Sequence, residues 1–169
     1  MSTPPYAFEA TIAFDPAVAD GYMKHYLPLP PAVAAALVEG GVSRVVGTVG
    51  AVGFSRVVYD RPDGSRCLRF GEGWLRDAGL SVGDAVAVTL GPDPDPEHVE
   101  VPAELAAALD AQPGVALAWA ALTPGKRRTL VYGVERARRP ETRARRAAAV
   151  VEEVARLTGA SRRPREAED

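Results

Sequence analysis

At Gly91 the hydrophobic rhythm of the chain changes, and that change constrains its fold more than any single motif. Upstream, apolar residues recur at every second position: Phe8, Ala10, Ile12 and Phe14, and again in AVAVTL at 85–90. Period two is the spacing of a strand with one buried face. Beyond GPDPDPEH (91–98) the apolar residues recur every three or four positions, the spacing of helices. Pro92, Pro94 and Pro96 make the stretch between them a stiff hinge. Strands first and helices afterwards, with no βαβ rhythm, predict an α+β chain rather than a parallel sheet. The expected units are a small N-terminal β-barrel over 1–91 and a segment of three to four helices over 99–159, then a disordered tail over 160–169.

Within the first unit, Ala7–Asp15 is expected as a half-buried strand, and Tyr22–Leu29 as extended chain held open by Pro28, Pro30 and Pro31. Pro31 suits the first turn of a short helix, 32–39, which Gly40-Gly41 ends. RVVGTVGAVGFSRVVY (44–59) predicts a bent hairpin, with Gly47, Gly50 and Gly53 where strands bend or let another backbone approach. It lacks the GxxxxGK[ST] spacing of a phosphate loop and the following helix of a dinucleotide fingerprint. Arg61-Pro62-Asp63-Gly64 is a turn that pairs Val57–Tyr59 with Cys67–Phe70. A helical turn over 73–78 carries Trp74 and Leu75 inward, and a tight turn at 80–84 leads into the strand 85–90.

In the second unit helices are expected after Pro102, after Pro113-Gly114, over 125–138 with Thr123 as N-cap, and from Pro140 to the stop at Gly159. On the last of these, Ala144, Ala147, Ala148, Val151, Val154, Ala155 and Thr158 share a face. Arg145, Glu152 and Arg156 fall opposite, and Arg139, Arg143 and Arg146 form a flanking stripe.

Charge divides along the same line. Residues 1–100 carry 7 Lys/Arg against 13 Asp/Glu; residues 101–169 carry 13 against 9. An acidic body with a basic end suggests an anionic partner, at a charge far below that of a committed nucleic-acid binder. The single cysteine, Cys67, excludes an internal disulfide and suits the cytoplasm. The N-terminal residues lack the basic and continuous apolar regions of a secretion signal, and no apolar run reaches the ~20 residues of a membrane span.

PETRARR at 140–146, LTPGKRR at 122–128 and VPAEL at 101–105 resemble the bacteriocin-protection or YdeI/OmpD-associated family. FEA at 8–10, LPLP at 27–30, RVVGTVGAVGF at 44–54 and GLSVGDAVAVTL at 79–90 resemble the small barrel domain of unknown function often fused to it. The resemblance implies a double-split barrel, shaped like AbrB-type regulators and antitoxins, and a link to antimicrobial-peptide resistance or envelope stress. It brings no catalytic residues. The sequence departs from the family at Tyr132-Gly133-Val134, where the family has an aromatic and an isoleucine.

Several constellations are candidates for chemistry. Arg139, Thr142, Arg143 and Arg146 would hold an anionic or peptide partner through guanidinium forks. Against that, runs of surface charge are more often solvated, or paired with the acidic barrel or with Glu135 and Glu141. Nucleic acid is disfavoured, because Tyr132 is the run's one stacking ring. A barrel pocket near Arg44, Arg69 and Trp74 would support an unknown enzyme reaction. Cys67 between Arg66 and Arg69 is a reactive thiolate on one reading and an inward-facing hydrophobe on the commoner one. His25 and His98 with one cysteine make no closed zinc site, and no cofactor or metal is expected. Asp84 reads as a turn-former, and Trp74 and Trp119 as core anchors. The leading expectation is a non-enzymatic cytosolic binding or stress-response protein, with self-association compatible. The alternatives are a barrel enzyme and an AbrB-like DNA binder.

Overall fold

The computed structural model describes residues 5–19, 23–157 and 159, and divides between Pro94 and Asp95 into two units. The first is a nearly closed antiparallel barrel of seven strands in the order β1-β7-β4-β5-β6-β3-β2. The strands are β1 (Tyr6–Thr11), β2 (Ala13–Phe14), β3 (His25–Pro28), β4 (Arg44–Val49), β5 (Val52–Asp60), β6 (Arg66–Phe70) and β7 (Ala85–Pro92). Strand β5 holds the two halves together. Its stretch Val52–Val57 pairs with β4, and Val58–Asp60 then pairs with β6. The wall is therefore split along one long strand. Helices α1 (Pro31–Glu39) and α2 (Glu72–Asp77) join the strands.

Alternation in β7 sends Val86, Val88 and Leu90 into a core shared with Val45, Val49, Leu27, Leu68 and Phe70. Burial of such side chains is worth about 1.5–3 kcal/mol each. Two glycines make the hairpin next to it possible. A Cβ on Gly47 would lie 1.8 Å from the Thr89 carbonyl oxygen, so only glycine lets β4 approach β7 this closely. Gly50 turns the β4–β5 hairpin at a φ of 58°, in the left-handed region. Beside Gly47, Thr48 and Thr89 face each other across the ladder, hydroxyl oxygens 2.7 Å apart.

The expected first strand breaks at Ile12. That residue is buried; its N–H donates to the Asp84 carbonyl and its own carbonyl accepts from Gly83, so it belongs to the β7 side. The chain then shifts to β3, and Phe14 emerges on the outside, edge-on to His25 at 5.3 Å. A two-residue alternation cannot continue across a change of partner strand.

The second unit contains α3 (Ala103–Asp110), α4 (Pro113–Ala121), α5 (Pro124–Glu135) and α6 (Pro140–Leu157). Proline is the first residue of α4, α5 and α6, where its missing N–H has no helical partner in any case and its fixed φ is already helical. The Thr123 hydroxyl caps α5 by accepting from the Lys126 N–H at 3.3 Å. The core comprises Leu105 and Leu109 of α3, Val115 and Trp119 of α4, Leu130, Val131 and Val134 of α5, and Ala147, Val150, Val151 and Val154 of α6.

The buried stripe of α6 is rotated from the expected one. Val150 replaces Ala144 and Ala148, both of which are exposed. Valine buries more apolar surface than alanine, so the helix turns its valines inward. Thr158 and the expected disordered tail, 160–169, lie outside the described residues. Among the described residues no helix is long and apolar enough to cross a membrane.

Candidate functional site

The connection from α5 to α6 is four residues long, Arg136-Ala137-Arg138-Arg139. It is built as a braced elbow. The Arg136 N–H donates to the Tyr132 carbonyl and the Ala137 N–H to the Val134 carbonyl, so the chain leaves α5 still wound. Ala137 is only 6% exposed, while its neighbours Arg136 and Arg138 are exposed. The Arg139 carbonyl accepts from the Arg143 N–H at 3.0 Å and opens α6. A second-turn residue of α6, Arg146, reaches back and donates its Nη1 to the Gly133 carbonyl at 2.8 Å. Carbonyls at a helix C-terminus lack intrahelical partners, and an arginine donor satisfies one of them.

Within the helical unit some cations are committed. Arg143 donates Nη2 to Glu104 Oε2 at 3.1 Å, with its Nε 3.1 Å from Oε1 but too poorly aligned to donate. Lys126 pairs with Glu153 at 2.9 Å. Arg128 donates to the carbonyls of Pro96 and His98, fixing the start of the unit onto α5. Arg138, Arg139, Arg145 and Arg156 are exposed and make no ion pair among the described residues of this unit. Arg136 lies over the Tyr132 ring, its Cζ 5.4 Å from the centroid. Thus the expected quartet divides: Arg139 is exposed and unpaired among the described residues of its unit, Thr142 is half-buried, Arg143 is spent on Glu104, and Arg146 is spent in part on Gly133. Arg136 and Arg138 complete the cluster. They follow the last helical turn of α5, a position visible in the sequence only once the helix end is known to be Glu135.

Arg44, Arg69 and Trp74 each have partners of their own. Arg44 Nε lies 3.1 Å from Asp93 Oδ2, with the two side chains 14% and 10% exposed. Arg69 donates Nη1 to the Met23 carbonyl and lies over Tyr59 on the other side of the wall from Phe70. Trp74 packs on Phe70 at 4.5 Å, beneath the Arg56 guanidinium. The barrel interior between these residues is occupied by apolar side chains. Two open surface grooves lie elsewhere. One of about 550 Å³ runs between α3 and α6 past Ala108, Gln112 and Ala155, and one of about 410 Å³ lies between α1 and the β5–β6 turn.

Cys67 is fully buried in β6, and burial pushes its thiol above the ordinary range despite the nearby Arg69 charge. Raising the pKa suppresses the thiolate on which reactivity depends. Asp84 accepts from the Ser81 N–H at 2.8 Å within the turn before β7. Trp119 is buried in the helical core. His98 is exposed, and His25 packs against Phe14. Among the described residues no group of His, Cys, Asp and Glu is arranged to hold a metal ion.

Comparison with protein-family models places a domain of unknown function (DUF1905) over residues 8–90, the barrel. It places the family described as bacteriocin-protection, YdeI or OmpD-associated over residues 98–156, all four helices of the second unit. A search of curated proteins found no match. The two matches lie on either side of the hinge and between them take in both folded units: the helical unit matches the bacteriocin-protection, YdeI or OmpD-associated family, and the barrel matches the domain of unknown function.

Proposed function

We propose that this protein is a non-enzymatic cytoplasmic binding protein whose helical unit presents arginines to an anionic partner, and that any protective or stress-response role acts through that surface. The observation that carries the reading is the elbow: Arg138 and Arg139 are exposed, adjacent and without a carboxylate partner among the described residues of their own unit, on a backbone held by hydrogen bonds. Unpaired guanidiniums on a rigid frame keep their forked donors available, and little order has to be created on binding. A positively charged peptide would be repelled from this face, so the reading selects acidic partners. The cytoplasmic setting rests on the one cysteine, held as a buried thiol.

The test is a titration of the full chain with three anionic probes: a short glutamate peptide, a single-stranded oligonucleotide and phosphatidylglycerol vesicles. At least one should bind at low salt, weaken as salt is added and weaken again in the Arg138→Ala/Arg139→Ala variant. Failure of all three at low salt, or binding indifferent to the double substitution, would contradict the reading.

A further inference from the structure

We propose that this chain pairs with a second copy of itself through the outer face of α6, the two helices running antiparallel about a two-fold axis between Ala148 and Ala149. This face is separate from Arg138 and Arg139, which precede the helix.

The inner side of α6 buries Ala147, Val150, Val151 and Val154 in the core of its unit. On the side away from that core, Glu141, Arg145, Ala148, Glu152 and Arg156 follow one another at steps of three or four and share a stripe; all five are exposed. The four charged residues enter no ion pair among the described residues of the unit. The middle of the stripe is low. Ala148 and Ala155 form part of one wall of the open groove whose other wall includes Ala108 and Ala111 of α3. A second helix can come close there, at the short end of the ~8–10 Å separations of packed helices.

The order of signs names the occupant. Along the stripe it runs acid, base, alanine, acid, base. Turned end for end about the point between Ala148 and Ala149, Glu141 meets Arg156 of the second copy and Arg145 meets its Glu152. The two-fold axis repeats both contacts, so every charge faces its opposite. A parallel copy in register would set each charge against its like. Alanines alone would select no partner; charges at fixed spacing set orientation and register. The stripe has no net charge, so it offers no general attraction to a nucleic acid or an anionic bilayer. A surface with the same alternation in reverse satisfies it, and the chain itself carries one. One helix face is a small interface, which places the dimer at the weak end, with a Kd of about 1–100 µM. At 18 residues α6 is about 27 Å long, so the pairing carries the two elbows to its opposite ends.

The experiment is sedimentation equilibrium of the full chain over a concentration series. The wild-type chain should dimerise reversibly. Arg145→Glu and Glu152→Arg each make two of the four pairs repulsive, and each should weaken the dimer roughly tenfold or more. An equimolar mixture of the two variants restores opposite signs at every pair and should associate about as tightly as the wild type, as should the double swap Arg145→Glu/Glu152→Arg. Recovery on mixing, with unchanged circular dichroism spectra, separates lost pairing from lost folding. A wild-type chain that stays monomeric, with a Kd above about 1 mM, overturns the pairing. So does an assembly larger than a dimer, a single variant that dimerises as the wild type does, or a mixture that fails to recover. Each of these results leaves the anion reading of the elbow standing, because Arg138→Ala/Arg139→Ala tests that reading separately.

Discussion

In the barrel unit Arg44 lies against Asp93, Arg61 against Asp15 and Arg66 against Asp60, while Arg56 and Arg69 lie over the rings of Phe70 and Tyr59. In the helical unit Arg138, Arg139, Arg145 and Arg156 stand exposed without a carboxylate partner among the described residues of that unit. The same residue type thus has two uses in one chain. Where strands bring aspartates and rings close together, arginine is absorbed into the fold. Where two helices meet at an elbow, the backbone is held by carbonyls and by buried Ala137, and the guanidiniums are left over. Leftover charge on a braced frame is what a binding surface requires; charge consumed inside a sheet is not.

The sharpest contrast between the units is at their glycines. Gly47→Ala should destabilise the barrel by about 3 kcal/mol or more, since the new Cβ meets the backbone of β7 rather than a yielding side chain. Thermal unfolding of the full chain would show it, and a near-neutral result would mean that the β4–β7 approach is looser than described.

A smaller contrast concerns the arginines directly. Arg44→Met takes the paired guanidinium from the little-exposed Asp93 carboxylate, which keeps the Ser55 hydroxyl, and should cost about 2 kcal/mol. Arg138→Ala/Arg139→Ala should change stability by less than about 0.5 kcal/mol, as expected of exposed positions that support nothing else. Urea denaturation of both variants compares the two units; equal losses would erase the distinction.

Gly133→Ala should work in the opposite sense to Gly47→Ala. With open space for the methyl group, α5 gains about 0.5–1 kcal/mol of helix stability. A loss in the same unfolding measurement would show that the space beside Gly133 is occupied.

The least of these effects is the pH response of Cys67. Burial holds the thiol proton more tightly in the folded state than in the unfolded chain. The associated stability is therefore fully present below the unfolded thiol's pKa and is lost as pH rises from there through the folded value. Cys67→Ala should flatten that alkaline decline, and native-state labelling by a thiol reagent should be slow until the chain unfolds.

Much of this architecture is legible from punctuation. Pro113, Pro124 and Pro140 mark helix starts, and Arg61-Pro62-Asp63-Gly64 sets the β5–β6 turn, because these residues act on their own backbone. Phe14 was not legible: its outward position follows from the change of partner strand at Ile12, which depends on residues around 84. The same holds for the site. The arginine run is plain in the sequence, but Arg143 and Glu104 are 39 positions apart, and only the packing of α3 on α6 brings them together. Likewise the donation of Arg146 to the Gly133 carbonyl depends on the angle of an elbow that no local pattern specifies.

Whether the elbow arginines are free is measured most directly by the exchange and side-chain dynamics of arginine Nε–H groups, followed by nuclear magnetic resonance in the free full chain. The account predicts that Arg44 and Arg66 report restrained, ion-paired guanidiniums, while Arg138 and Arg139 rotate and exchange rapidly until an acidic peptide is added. Arg138 and Arg139 as slow as Arg44 before any partner is present would mean that the chain neutralises them itself, and would contradict the account.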